Sequence, residues 1–545
     1  MTTTYSMPQQ RSRPEPAPST VYAVASGDLR LAANTTCWPA QQAFEEQVRA
    51  AMASHGWAMQ RAHDVDPATG HGFIDSQARG IEVFRSVPKD APVVVIDAVW
   101  QYSHHVLAGL RAHRGPILLV ANWSGQFPGL VGMLNLTASL TKANIEHSIL
   151  WSRDFTDTWA LDKLGEWLRT GAIEHSTPHV RDLPVLRDSD EARLGTALAE
   201  QLREEHAVIG IFDEGCMGMY NAIIDDEMLN PTGIYKERLS QSALLAEMDR
   251  VPAGEAEAAL AWLEDAGLTF HWGADDATEL TREQVLSQMR MYIAALRIGD
   301  DYGVDAIGIK YQQGLKDQCA ASDLAEGLLN NVQRPPVRSR DGERELWPGA
   351  PLPHFNEVDE GVAVDALVTN RVWTAMGFDP ATTLHDIRWG EEYDGEFVWV
   401  FEISGSVPAS HNGGYDKSYS MRQVPMFFPK GGGTLSGVSK PGEIVWSRVF
   451  VMDDALHADI GRAHVADLPP EETRRRLEAT DKQWPIMHAV LHGVSRDQLM
   501  ARHKANHVQV AYAPDADGAE RALEAKAAMF DGLGIRVHLC GDVAL

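Results

Sequence analysis

Apolar and polar positions set out a succession of strands and helices over the first two thirds of the chain. "VYAVASGD" (21–28) is a short apolar run ending in a Gly turn and predicts a strand, and "PAQQAFEEQVRAAMASHGW" (39–57) has the spacing of a helix that stops at Gly56. "PVVVIDAVW", a helical "HHVLAGLRAH", the strand "GPILLVANW" and the helix "GLVGMLNLTASLTKA" follow. Strands alternating with helices predict a parallel sheet with helices packed over it. The pattern restarts at "HAVIGIFDEG" and continues through helical "ERLSQSALLAEMDRV" and "TREQVLSQMRMYIAALRIGDDYG", strand-like "DAIGIKYQQG", and helical "ASDLAEGLLNNV" and "VAVDALVTNRVWTAMG". After Gly377 the texture changes: "GEFVWVFEISG", "VPMFFPKGGGTLSG" and "GEIVWSRVFV" are β-type runs with Gly turns, closed by helices and a final "RVHLCGD" strand.

The expected fold class is therefore α/β: two Rossmann-like, doubly wound α/β domains followed by a mainly β, barrel-like domain. The expected boundaries are a disordered tail at 1–20, an N-terminal α/β domain at 21–203, a second at 204–377 and the β domain at 378–545. The tail, "MTTTYSMPQQRSRPEPAPST", has four prolines and no apolar core of a signal peptide.

Charge narrows the partners. Lys+Arg 48 against Asp+Glu 76 gives a formal net charge of -28, which disfavours nucleic acid and anionic membrane surfaces. No apolar run approaches membrane-spanning length, and a cytoplasmic protein is expected. Cys37, Cys216, Cys319 and Cys540 lie far apart, without CxxC or zinc-finger spacing, and read as reduced thiols.

Several motifs dissolve on inspection. "KGGGTLSGVSK" has Gly432 and Gly437 at P-loop separation, but Val438 stands where Lys is required, so the stretch reads as a mobile hairpin turn. His488/His492 and His503/His507 have i,i+4 spacing without the glutamate of HExxH; the first pair reads as a solvated or capped helix. His507 differs, because helical "SRDQLMARHKAN" gives way there to strand-like "VQVAYAP", and functional side chains project at such junctions. In "HFNEVDEGVAVDALVTN" (354–370), Glu357 and Asp359 stand at the mouth of a helix, where acids either complement its positive end or hold a cation. Asp386 lies in extended "TTLHDIRWG".

Together these pieces resemble the L-fucose isomerase family, grouped with arabinose isomerases among metal-dependent aldose–ketose isomerases. "NEVD" around Glu357 looks like the family's Thr-Glu-Asn-Asp, "DIRW" at Asp386 like its Asp-Val-Arg, and "ANH" at His507 like its Ala-Asn-His-Gly. "ISGSVPA", "ASDLAEGLLN" and "GQFPGL" resemble further segments, so the likeness runs thinly from about residue 115 onward. The resemblance implies that Glu357, Asp386 and His507 bind one Mn²⁺, that Glu357 and Asp386 are the acid/base pair, and that the protein is a homo-oligomer, a hexamer. It implies the same three-domain fold. "GIKYQQG" departs from the family's Gly-Phe-Gln-Gly-Gln-Arg: Lys310 replaces a glutamine and Gln313 the arginine, and Val508 replaces the Gly after the histidine. Lys310, Gln312, Ser404 and Trp123 are the expected sugar-binding residues, with Trp38 and Trp389 as further aromatic candidates.

The chemistry suits these residue types. Aldose–ketose interconversion moves a proton between C1 and C2 through an ene-diolate, whose developing negative oxygens a divalent cation stabilises. Two carboxylates and one imidazole leave about three positions of an octahedral ion for two sugar oxygens and a water. The expected function is a cytoplasmic, Mn²⁺-dependent isomerase of an L-fucose or D-arabinose type of sugar. The competing readings are an isomerase or epimerase of an unusual or acidic sugar on the same scaffold, and a non-catalytic sugar-binding protein.

Overall fold

Strand β1 (Thr20–Val24) is followed by β2 (Ala58–Arg61), β3 (Val93–Asp97), β4 (Ile117–Asn122) and β5 (Ser148–Ser152), which form one parallel sheet in the order β2-β1-β3-β4-β5. The computed structural model describes residue 8 and residues 13–545 except 216; positions 1–7 and 9–12 of the expected tail, and Cys216, lie outside the described residues. The apolar runs of β3 and β4 do not alternate because helices cover both faces. Val93 and Val95 join one core while Val94 and Ile96 join another. The order reverses between β1 and β3, and in open parallel sheets the crevice beyond the strand ends at such a reversal is where ligands bind.

The next strand, β6 (Val180–Asp182), does not belong to this sheet, as shown below. β7 (Ala207–Phe212), β8 (Ile234–Leu239) and β10 (Ala306–Ile309) make a second parallel sheet in the order β10-β7-β8. The helix Arg282–Tyr302 starts from a capping box of Thr281 and Gln284 and ends at Gly303 in the left-handed region. The segment expected to be one helix at 237–251 instead completes β8 as far as Leu239, then turns into the helix Gln241–Met248 capped by Ser240. Parallel pairing with β7 overrides the helical spacing of "ERL". The short β9 (Thr269–Phe270) pairs with β13 (Tyr419–Ser420).

The last strands are β11 (Thr382–Tyr393), β12 (Glu396–Glu402), β14 (Gly442–Met452), β15 (Ala455–Val465), β16 (Ile486–Leu491), β17 (His507–Tyr512) and β18 (Arg536–Cys540). The order β14-β17-β11-β12-β16-β15, with β15 pairing back onto β14, closes a six-stranded ring. β18 continues from β15, and β6 pairs antiparallel with β18. The chain at 180–205, assigned by the sequence pattern to the N-terminal domain, thus serves the last sheet: β6 extends it, and the helix Asp190–Glu205 packs on Ala516–Gly532.

Two further expectations fail. "HAVLH" is strand, with His488 buried on β16 and His492 just past its end, where His492 Nε2 lies 3.0 Å from His464 Nδ1. "VPMFFPKGGGTLSG" forms no strand, and its glycines are not a mobile turn: Gln288 clamps Gly433 by accepting from its N–H at 2.7 Å and donating to its carbonyl at 2.9 Å. No helix among the described residues is long and apolar enough to cross a membrane.

His385 on β11 is fully buried, and neither ring nitrogen has a hydrogen-bond partner. Burial, with a smaller contribution from the neighbouring His411, lowers its pKa to about 3. An unfolded chain takes up this proton below about pH 6.5, whereas the folded chain resists it down to about pH 3. The stability tied to His385 is therefore complete above pH 6.5 and is lost as pH falls below it. Denaturation midpoints should drop between pH 7 and pH 4, and His385→Phe, which removes no hydrogen bond, should reduce that slope. An unchanged slope in the variant refutes this role.

Candidate functional site

Three structural layers face one narrow cleft. The first sheet contributes Arg30 and Trp100, just past the ends of β1 and β3 at its reversal. The second contributes Lys310 and Gln312, just past the end of β10. The ring contributes Asp386, Arg388 and Ser404, and Glu357 comes from the turn before the helix Glu360–Met376. The cleft is two adjoining chambers, of about 40 Å³ and about 20 Å³, that share Met217, Gln312, Glu357, Ser404 and Phe428.

Asp386 and His507 meet through sheet register. β11 and β17 are antiparallel, and Asp386 stands directly opposite His507, the first residue of β17. A bulge between Ile387 and Trp389 bends β11 just beyond Asp386, a device that re-aims side chains beside functional sites. Glu357 arrives differently. Glu357 and Val358 both hold left-handed backbone, φ 57° and 55°, which is a strained conformation for a β-branched residue. The strain swings Glu357 off the helix axis into the cleft, where Ser404 Oγ donates to its Oε1 at 3.0 Å.

The three expected ligands converge. His507 Nε2 lies 3.5 Å from Glu357 Oε2 and 3.5 Å from Asp386 Oδ1. Behind it, His507 Nδ1 is 2.7 Å from Asp359 Oδ2, which also takes a 2.6 Å bond from Arg448 Nη1. Asp359 caps the helix as well, its Oδ1 accepting from the N–H groups of Gly361 and Val362 at 3.0 and 3.3 Å. The acid at the helix mouth and the acid in the cleft are therefore two residues with two tasks.

Burial governs the electrostatics here. It pushes Asp386 up to about 7, assisted by the charge of Glu357 and opposed by His507 and Arg388. It pushes Asp323 up to about 8 and, against the attraction of Arg388 at 3.2 Å, Glu402 up to about 8. For Asp359 burial is outweighed by Arg448 and His507, which hold it down to about 2. For His507 burial is outweighed by hydrogen bonds to Asp359 and Glu357 and by the charge of Asp386, and the imidazole rises to about 10. The site is a knot of acids seeking positive charge.

These residues fit a hard divalent cation by chemistry: two carboxylates, one imidazole nitrogen, and a carboxylate behind the imidazole as metal-binding histidines commonly have. No three His, Cys, Asp or Glu side chains among the described residues stand in ready coordinating geometry. The 3.5 Å separations are wider than the roughly 3 Å between adjacent ligands of an octahedral ion with bonds near 2.1 Å.

Of the expected sugar-binding residues, Lys310, Gln312 and Ser404 line the cleft. Lys310 Nζ donates to the Glu214 carbonyl at 3.1 Å, and Gln312 Oε1 accepts from Arg30 Nη1 at 2.9 Å. Trp123 does not line it. Its Nε1 donates to the Gly390 carbonyl at 2.9 Å, and it borders a separate groove with Trp151, Trp159 and Phe397. Trp38 packs edge-on against Phe73, and Trp389 lies beneath Arg475 and Arg476. The aromatic walls are instead Trp100, Trp484, Phe427 and Phe428. Arg30, which stacks on Phe427 and is held by Asp28, carries no local signal in the sequence; only its place after β1 marks it.

A scan against protein-family models finds no match for this chain, and a search of curated proteins finds none either.

Proposed function

We propose that this chain is a divalent-metal-dependent aldose–ketose isomerase, of the L-fucose or D-arabinose type, with Mn²⁺ held by Glu357, Asp386 and His507. The observation that carries the reading is the approach of both carboxylates to His507 Nε2 at the wall of a cleft lined by all three layers. The parallel sheets and closed ring also accord with the two Rossmann-like domains and barrel-like domain of the family that the sequence resembles. A cytoplasmic homo-oligomer, a hexamer, belongs to the same reading.

A bound divalent cation would supply electrophilic stabilisation for sugar oxygens as negative charge develops on them. The chain's own residues do the rest. Glu357 and Asp386 both line the cleft, and as its carboxyls they are the groups that would exchange a proton with C1 and C2. Ser404 fixes Glu357 in the orientation for that transfer. Trp100, Phe427, Phe428 and Trp484 exclude water and offer faces to the sugar's C–H groups.

The test is a panel of aldoses assayed with EDTA and with added Mn²⁺. Turnover of at least one aldose that depends on the metal is expected; inertness of every aldose under both conditions overturns the reading. Lys310 at the cleft favours a second reading, an acidic sugar, and the same panel with uronates included decides between them.

A further inference from the structure

Asp359 is the most heavily engaged carboxylate near the cleft, and it touches no part of the cleft itself. It is fully buried, and its two oxygens divide the work. Oδ1 holds the first turn of the helix Glu360–Met376, and Oδ2 holds Arg448 Nη1 and His507 Nδ1. Arg448 is itself 1% exposed, on β14, so it cannot leave without uncovering a buried charge. The backbone before Asp359 is the strained pair Glu357 and Val358. One carboxylate thus ties together the helix that follows Glu357, the strand that carries His507 and, through Arg448, a second strand.

We infer that Asp359, braced by Arg448, is the positioning residue of the site: it holds the proton of His507 on Nδ1, presents Nε2 to the cleft, and fixes the strained turn that presents Glu357. The inference rests on the metal-site reading above, and it concerns residues that the sequence resemblance assigned no role. A partner of this kind sets the orientation and basicity of a metal-binding imidazole, and removing it typically weakens metal binding by about 10–100-fold.

The experiment is titration of the full chain with Mn²⁺, with the free ion followed by electron paramagnetic resonance. Asp359→Asn keeps size and a capping oxygen but loses the charge that grips Nδ1; its Kd for Mn²⁺ should rise about 10–100-fold. Arg448→Met should move Kd in the same direction. The double variant should add little to Asp359→Asn, because both act through one carboxylate. A merely structural role would lower the unfolding midpoint and leave Kd unchanged in the folded fraction. If Asp359→Asn does not fold, Arg448→Met carries the test. Values within twofold of the unsubstituted chain overturn the inference while leaving the metal site intact. If the unsubstituted chain itself shows no Mn²⁺ site that Glu357→Gln removes, the metal reading falls and this inference with it.

Discussion

Glu357→Gln and Asp386→Asn should each lower kcat for aldose–ketose conversion by about 10²–10⁴-fold, the range a positioned acid or base contributes. Each amide preserves the shape of the carboxylate it replaces but can neither carry a proton between carbons nor offer an anionic ligand. Glu357 stands on a strained turn, with His507 Nε2 3.5 Å from its Oε2 and Ser404 donating to its Oε1, and that hydroxyl can donate equally to an amide oxygen. Asp386 lies in a sheet between β12 and β17 and accepts a long 3.4 Å contact from Asn506 Nδ2. Both variants should keep the unfolding midpoint of the parent. Bound Mn²⁺ per chain, measured by elemental analysis, should fall with kcat. A near-normal rate in either variant removes that residue from the site, and a lost rate with full metal occupancy confines its part to proton transfer.

The physical reasons for what the sequence reveals differ between residues. His507 is legible because helical periodicity gives way to strand before it; the helix ends at Arg502, short of the expected Asn506, and the strand does begin at His507. Asp386 is legible as an acid in an extended stretch, but its pairing with His507 depends on a register set across more than a hundred intervening residues. No local pattern encodes that. Half of the acidic helix mouth can be read, since Asp359 caps as its position suggests. The left-handed backbone of Glu357 and Val358 leaves no such mark, because neither is a glycine or asparagine that would announce it.

Trp123 illustrates the opposite error. A tryptophan just past a strand end is a sound candidate for a cleft wall, but the chain after β4 reaches the cleft only at Pro128 and Val131, while Trp123 packs against Phe397 and Trp399 on the ring. Trp100, past β3, holds the position that Trp123 was expected to fill. Packing across domains decides the matter, since Phe397, Trp399 and the Gly390 carbonyl hold Trp123 elsewhere. The pinned glycines at 431–433 and the transfer of β6 to the last sheet have the same origin: partners distant in sequence, Gln288 and β18, override what the local composition suggests.

The second large effect lies in the core behind the ring. Lys526 Nζ sits in the core with Asp365 Oδ1 and Thr369 Oγ1 at 2.6 Å and Ser447 Oγ at 2.7 Å, linking the helices Glu360–Met376 and Ala516–Gly532 to β14. Lys526 and Asp365 side chains are each 1% exposed. Burial lowers the lysine pKa, and Asp365 opposes that shift. Breaking such a pair from one side leaves an uncompensated buried charge, so Asp365→Ala and Lys526→Met should each destabilise by about 3–5 kcal/mol. Replacing both partners with apolar groups of similar volume removes the charge as well as the attraction, and Asp365→Leu with Lys526→Met should recover most of the loss. Denaturant midpoints of the two single variants and the double variant form the test. Equal additive losses would mean that the lysine stabilises through its packed stem against Trp373 and Phe530, 5.7 and 5.5 Å away, and not through its charge.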